Sequence, residues 1–259
     1  MNFNKILFLD IETVSQYETY EDMPPHWKEL WDDKARKREI KDAAKDTVAS
    51  VYPRASIYAE FGRIICISCG YFQDEGEHRK LILKSFYNED EATLLQEFAD
   101  SISRWEKNKL GQIDLEKGLC AHNGKEFDFP YICRRMIINR VALPEALKIS
   151  GKKPWEIKHL DTMELWKFGD NKNFTSLKLL AASLGIPSPK DDIDGSMVYG
   201  VYYHEKDLDR IVTYCQKDVI TLAQVLLRFY CEPLVKKENI EIKTCSTELT
   251  ILPVLNGKI

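Results

Sequence analysis

Four large apolar residues in a row, Ile6-Leu7-Phe8-Leu9, run without a break into Asp10-Ile11-Glu12. Such a run predicts a buried strand over Lys5–Ile11, which other elements must cover, and its first charges stand where the strand begins to open. On a strand, residues two apart leave the same face, so Asp10 and Glu12 project together with Cα atoms roughly 6.5 Å apart at about 3.3 Å per residue. Two carboxylates held that close repel unless something neutralises them. Hard divalent cations do so and prefer oxygen ligands, although a solvated strand end would carry the same pair.

The remaining pattern builds layers around that strand. Arg63–Tyr71 and Arg79–Tyr87 are strand-like, with the polar stretch Gln73–Glu77 as a hairpin connection. The first three strands therefore form an antiparallel meander. Asn88 with Glu91 three residues on reads as a capping pair, opening a helix that carries Leu94, Leu95, Phe98 and Ile102 and ends near Asn108. A short strand at Gly118–His122 leads into Asn123-Gly124, and a helix starts near Asp128 and runs through Met136 and Ile137. A second strand-to-helix step stands at His159-Leu160-Asp161-Thr162. The last helix spans Lys206–Phe229, where Leu208, Ile211, Val212, Cys215, Val219, Leu222, Leu226 and Phe229 keep one face. Meander, then alternating helix and strand, describes an α/β layered domain.

Residues 15–60 interrupt this order with Pro24-Pro25 and a charged stretch, and read as a helical insertion. Its segment Asp32–Asp46 mixes both signs, as an exposed helix does, and Trp27 and Trp31 anchor it to the domain. With 259 residues, 44% hydrophobic, one main domain is expected, at 1–235, followed by an extension at 236–259 whose role the sequence leaves open. The odd count of seven cysteines, most inside apolar segments, favours a reducing compartment, and no stretch has membrane-spanning length, so a cytoplasmic protein without a membrane partner is expected. The net charge of −4 is not that of a general polyanion binder, so metal ions and local patches would have to supply any attraction to nucleic acid.

Two further acidic positions complete a pattern. Asp128 follows Asn123-Gly124-Lys125-Glu126-Phe127 at a helix start, where an aspartate is also a common N-cap. Tyr214 and Asp218 lie four apart on the last helix, on a flank of its apolar stripe. Together, Asp10-Ile11-Glu12-Thr13, Asn123–Asp128 and Tyr214–Asp218 resemble, in order, the three motifs of the DEDD exonuclease superfamily, and the tyrosine marks its DEDDy branch. The block Ser176–Ala181 through Leu184–Pro187 also resembles the proofreading exonuclease domains of B-family DNA polymerases.

The resemblance covers about 210 residues. It implies a ribonuclease H-like mixed sheet, with the antiparallel three-strand meander flanked by helices. It also implies a freestanding 3′→5′ exonuclease acting on single-stranded DNA 3′ ends by two-metal-ion catalysis and releasing nucleoside 5′-monophosphates, the chemistry of DNA repair and proofreading. Asp10, Glu12, Asp128 and Asp218 would hold two divalent ions, Mg²⁺ or Mn²⁺, with Tyr214 orienting the attacking water. Thr13, Asn123 and Phe127 would contact the terminal nucleotide, or else finish a strand, a turn and a core. Exoribonuclease activity and a non-cleaving nucleic-acid-binding module of the same fold are the alternatives, and the presence of all four acids argues for cleavage.

Weaker signals point elsewhere. Cys66 and Cys69 have a zinc-like spacing but should face opposite sides of a strand. Cys120 with His122, and His159, read as buried residues. Asp191–Gly195 has the glycine of a calcium loop without its flanking acids, since Lys190 and Val201 stand at the first and twelfth positions. Lys148, Lys152, Lys153 and Lys158 around Trp155 form either a strand-binding patch or a solvated surface.

Overall fold

A computed structural model describes residues 1–42, 44–75, 78–170, 174–187 and 192–243. Its sheet has six strands, β1 (Ile6–Ser15), β2 (Gly62–Glu75), β3 (His78–Phe86), β4 (Gly118–Ala121), β5 (Leu160–Asp161) and β6 (Ile240–Lys243), in the order β5-β4-β1-β2-β3-β6. β1, β2 and β3 form the expected antiparallel meander, while β4 lies parallel to β1 and β5 parallel to β4. This is a ribonuclease H-like mixed sheet. β6 adds an edge strand parallel to β3, so part of the 236–259 extension belongs to the sheet; residues 244–259 lie outside the described residues. Gln224 leads the chain there by pairing both its amide groups with the backbone of Val235, at 2.8 and 3.0 Å.

Strand alternation divides β1 between two cores. Leu7, Leu9 and Ile11 face α2 (Glu91–Trp105) and α3 (Asp128–Ile138), packing with Phe98, Ile102, Phe129 and Ile132. Ile6 and Phe8 face the helix Leu208–Phe229, against Val219, Leu222 and Leu226. Gly70 lets that helix approach β2, because a Cβ there would sit 3.0 Å from a Val219 methyl. The cap of α2 is Asp90, which accepts from the Thr93 amide at 2.9 Å; Asn88, expected in that role, instead accepts from the Asp90 amide at 2.9 Å. The helix ends at Trp105, short of Asn108.

The insertion contains the α-helix α1 (Pro25–Arg38), a 3₁₀ helix at Tyr52–Ile57 and a small core built on Trp31, Tyr52, Ala55 and Phe61. The mixed-charge helix expected over 32–46 therefore stops at Arg38, beyond which Glu39 turns inward and bonds the Tyr58 hydroxyl. Asp32 with Arg36 and Asp33 with Lys37 are pairs one turn apart on its exposed side. Trp31 is fully buried, whereas Trp27 is only partly covered. After β5 come α4 (Thr162–Lys167), α5 (Leu177–Ser183), α6 (Val198–Gly200) with a π-turn at Val201–Glu205, and the long helix, here α7 (Leu208–Phe229). No helix among the described residues is long and apolar enough to cross a membrane.

Candidate active site

Asp10 and Glu12 continue the row that begins with Ile6 and Phe8, so their carboxylates point at α7 rather than at α2 and α3. They pair across β2 with Ser68 and Cys66, and immediately after Glu12 the register slips, leaving Ile65 of β2 without a partner. Such a bulge increases local twist and turns the strand end away. Glu12 is buried and Asp10 half-buried. On α7 the Cys215 thiol donates to the Asp10 backbone oxygen at 3.4 Å and to its carboxylate Oδ2 at 3.5 Å. One ligand atom from each of Asp10, Glu12 and Cys215 falls within 4.8 Å of the others.

Charge ties three distant segments together here. Burial, and then the charges of Glu12, Asp128 and Asp218, push the Asp10 carboxyl well above the ordinary carboxylate range. Glu12 is pushed up by burial and then by Asp218, Cys66 and Asp128. Asp128, almost wholly buried at the start of α3, rises to about 7, mainly through burial, with a contribution from Asp161 opposed by backbone amides including that of Ile11. Tyr214 and Asp218 are both half-buried on α7, and the Tyr214 hydroxyl donates to the Asp218 carboxylate. Burial and the charges of Asp218, Glu12 and Asp10 raise the Tyr214 pKa far above that of a free tyrosine, so its proton stays on. The residues of all three sequence motifs thus lie within one another's electrostatic reach.

The turn before α3 is held by a residue that the motif spacing does not point to. Asp161, buried at the N-cap of α4, accepts from the amides of Met163 and Glu164 at 2.9 and 3.2 Å. The same carboxylate accepts from the amides of Asn123 and Lys125 at 2.9 and 3.1 Å. It thereby fixes Asn123 in the left-handed region (φ 63°), from which the Asn123 carbonyl accepts from the Phe127 amide at 3.0 Å and aims α3. The sequence signal was present, an aspartate followed by threonine after a strand, but it read only as a helix start. Cys215 was likewise placed on the apolar stripe, and its contact with Asp10 follows from the packing of α7 on β1.

The three expected substrate contacts are all half-buried. Phe127 is half-buried against Tyr131, with ring centroids 5.2 Å apart, and the Thr13 hydroxyl bonds the Tyr131 hydroxyl. The Asn123 side chain is half-buried at the turn.

The weaker signals resolve into structure. Cys66 packs toward Val212 and Cys215 while Cys69 packs beneath α2, on opposite faces of β2. Cys120 is fully buried, and His122 links Thr162 Oγ1 at 2.9 Å to the Thr175 carbonyl at 2.8 Å. His159 accepts from the Leu119 amide at 3.2 Å and donates to the Ala146 carbonyl at 2.8 Å, and burial lowers its pKa to about 4. Asp192 pairs with Arg210 at 2.7 Å and Asp194 caps Ser196, while Lys190 and Asp191 lie outside the described residues. Trp155 is exposed with Lys153 over its ring, but Lys158 beside it adjoins Gly118 at the start of β4. That end of the sheet pairs Gly118 with Ile6, four residues before Asp10.

Comparison with known proteins places the chain. The model of a family described as "Predicted 3'-5' exonuclease related to the exonuclease domain of PolB" matches residues 56–248, a span that holds Asp128, Tyr214 and Asp218 and begins after Asp10 and Glu12. No curated protein matches. Among solved structures, the family B DNA polymerase from the hyperthermophilic archaeon Pyrobaculum calidifontis is similar, at 14% identity and a TM-score of 0.49 over 86% of this chain. The chain spans 24% of that polymerase's length. On the family match, which takes in most of its residues, this chain belongs to the predicted 3′→5′ exonucleases related to the exonuclease domain of PolB.

Proposed function

We propose that the protein hydrolyses the terminal phosphodiester bonds of DNA from the 3′ end in a metal-dependent reaction that releases nucleoside 5′-monophosphates. The observation that carries this reading is the gathering of Asp10, Glu12, Asp128 and Asp218, from three distant segments, into one mutually repelling acidic group. The set fits hard cations. Its donors are carboxylate oxygens, and the groups that oppose the charge of Asp10 and Asp128, the Cys215 thiol and backbone amides including that of Ile11, are uncharged. Those four residues would hold two divalent ions, Mg²⁺ or Mn²⁺, which supply neutralisation of the charge that grows on the attacking and leaving oxygens.

The chain's own groups do the rest. A tyrosine hydroxyl ordinarily titrates at about 10, so at neutral pH Tyr214 would act as a hydrogen-bonding positioner of the attacking water and not as a general base. Asp218, accepting from that hydroxyl, fixes where it points. Phe127 would pack on the terminal base, while Asn123 and Thr13 offer polar groups to the sugar and its 3′-hydroxyl. Attack by the water on the terminal phosphorus forms a new P–O bond and breaks the bond to the 3′-oxygen of the preceding nucleotide, which takes up a proton as it leaves.

End-labelled single-stranded DNA, duplex DNA and RNA, incubated with Mg²⁺, Mn²⁺ or EDTA, test the proposal. The expected result is stepwise shortening from the 3′ end of single-stranded DNA, abolished by EDTA. Internal cuts, or equal shortening in EDTA, would sink it, and preferential shortening of RNA would move the substrate to the exoribonuclease alternative.

A further inference from the structure

Where the insertion meets the domain there is a cavity of about 500 Å³, within the size range of small-molecule sites. It opens just beyond β1. Gln16 lies on its wall and extends the strand pairing by donating its amide to the Phe61 carbonyl at 2.7 Å. Gln16 is four residue steps beyond Glu12, ~13 Å at about 3.3 Å per residue.

The walls differ in character from the acidic site. Trp27, Phe61, Tyr17 and Met23 of the insertion supply aromatic and thioether surface, with Trp27 edge-on to Phe61 at 5.7 Å and 36% exposed. The floor is an ion pair closed on itself: Arg135 donates to Glu91, to the Ala59 carbonyl at 2.8 Å and to Gln16 Oε1 at 3.2 Å. Glu91 also accepts from the Ile64 amide at 2.7 Å and from Asn139 at 3.0 Å, so the floor presents no net charge. On the remaining side Arg63 donates to the Glu89 carbonyl. Exposed Glu60 and Glu89 at the rim disfavour a phosphate inside.

A neutral, flat, hydrogen-bonding ring fits these walls. We propose that the cavity receives a nucleobase of the strand being shortened, with Trp27 as its stacking partner. Stacked bases rise about 3.4 Å each, so the base is roughly three to four nucleotides from the bond being cut. The proposal rests on the exonuclease reading for its substrate and extends it to the 15–60 insertion.

The test is a set of single-stranded oligodeoxynucleotides carrying one abasic position, walked from the first to the sixth nucleotide from the 3′ end. Binding is read by anisotropy in EDTA and cleavage by single turnover in Mg²⁺. The intact protein should lose roughly 5- to 150-fold in affinity when the gap falls at about positions four and five, the range that base–aromatic stacking supplies. Trp27→Ala should weaken binding of the complete strand and flatten the profile, and Trp27→Phe should keep it. A flat profile for the intact protein, or an unchanged one for Trp27→Ala with an unshifted melting temperature, overturns the proposal. So does displacement by free nucleosides as effective as by the strand, which would make the cavity a small-molecule site. The binding series needs no cleavage, so a position-dependent profile without shortening would fault the nuclease reading and leave the cavity's base standing.

Discussion

Asp10, Asp161 and Asp128 are buried or half-buried carboxylates with opposite circumstances, and the difference sets what each substitution should do. Asp161 is met by four backbone amides, so Asp161→Asn, with one acceptor oxygen, should cost about 1–3 kcal/mol in urea unfolding and slow cleavage by loosening the Asn123 turn. Asp10 is met mainly by other acids and Asp218 adds its charge to theirs, so Asp10→Ala or Asp218→Ala should fold and yet lose at least ~10²-fold in single-turnover rate. Tyr214→Phe should retain strand binding and lose less than Asp218→Ala, because a hydroxyl that only positions water can be partly replaced by water's own arrangement. A loss equal to that of Asp218→Ala would show that Tyr214 takes part in proton transfer. Without metal, the fold should also weaken as pH rises. Asp128 binds its proton up to about 7 when folded, against an ordinary value of 3.8, so between those limits the folded state holds more protons and stability falls with increasing pH. Thermal melts in EDTA at pH 5 and 8 check this, and Asp128→Asn should reduce the difference.

At the scale of elements, the turn between β4 and α3 has little room for change. A Cβ at Gly124 would overlap that of Ala121 and stand 3.2 Å from the Phe129 ring, so Gly124→Ala should destabilise by about 1–3 kcal/mol and lower cleavage, with circular dichroism melts and rates as the readouts. The elements that were legible in the sequence are those with an unbroken period. The alternation through Ile6, Phe8, Asp10 and Glu12 gave the shared face, and the α7 stripe gave the helix with Tyr214 and Asp218 at its flank. What stayed hidden depends on partners far away in the chain. The four residues of β6 have a strand's identity only through β3, and Asn88, two positions before the true cap Asp90, offers the same capping chemistry in sequence. The insertion's aromatic residues read as anchors, which holds for Trp31. Trp27 faces the cavity at the seam, and no local periodicity marks a seam.

For the whole molecule, the sheet's far edge and its acidic centre are separate concerns. Ending the chain after Asn239 removes β6 and exposes the edge of β3, four strands from β5, without touching β1 or α7. Cleavage per folded molecule should be retained, while light scattering should detect self-association through the open edge. Strand order also has a consequence for the time at which the protein first becomes competent. β1 is made early but sits in the middle of the sheet, between β2 and β4, and Asp218 is made 208 residues after Asp10. At about 5–20 residues per second, roughly 10–40 s of synthesis separate the two, and throughout that interval the growing chain holds Asp10 and Glu12 without the helix that carries Asp218. On the proposed function, the growing chain should leave nucleic acid beside it uncut until α7 has emerged and docked.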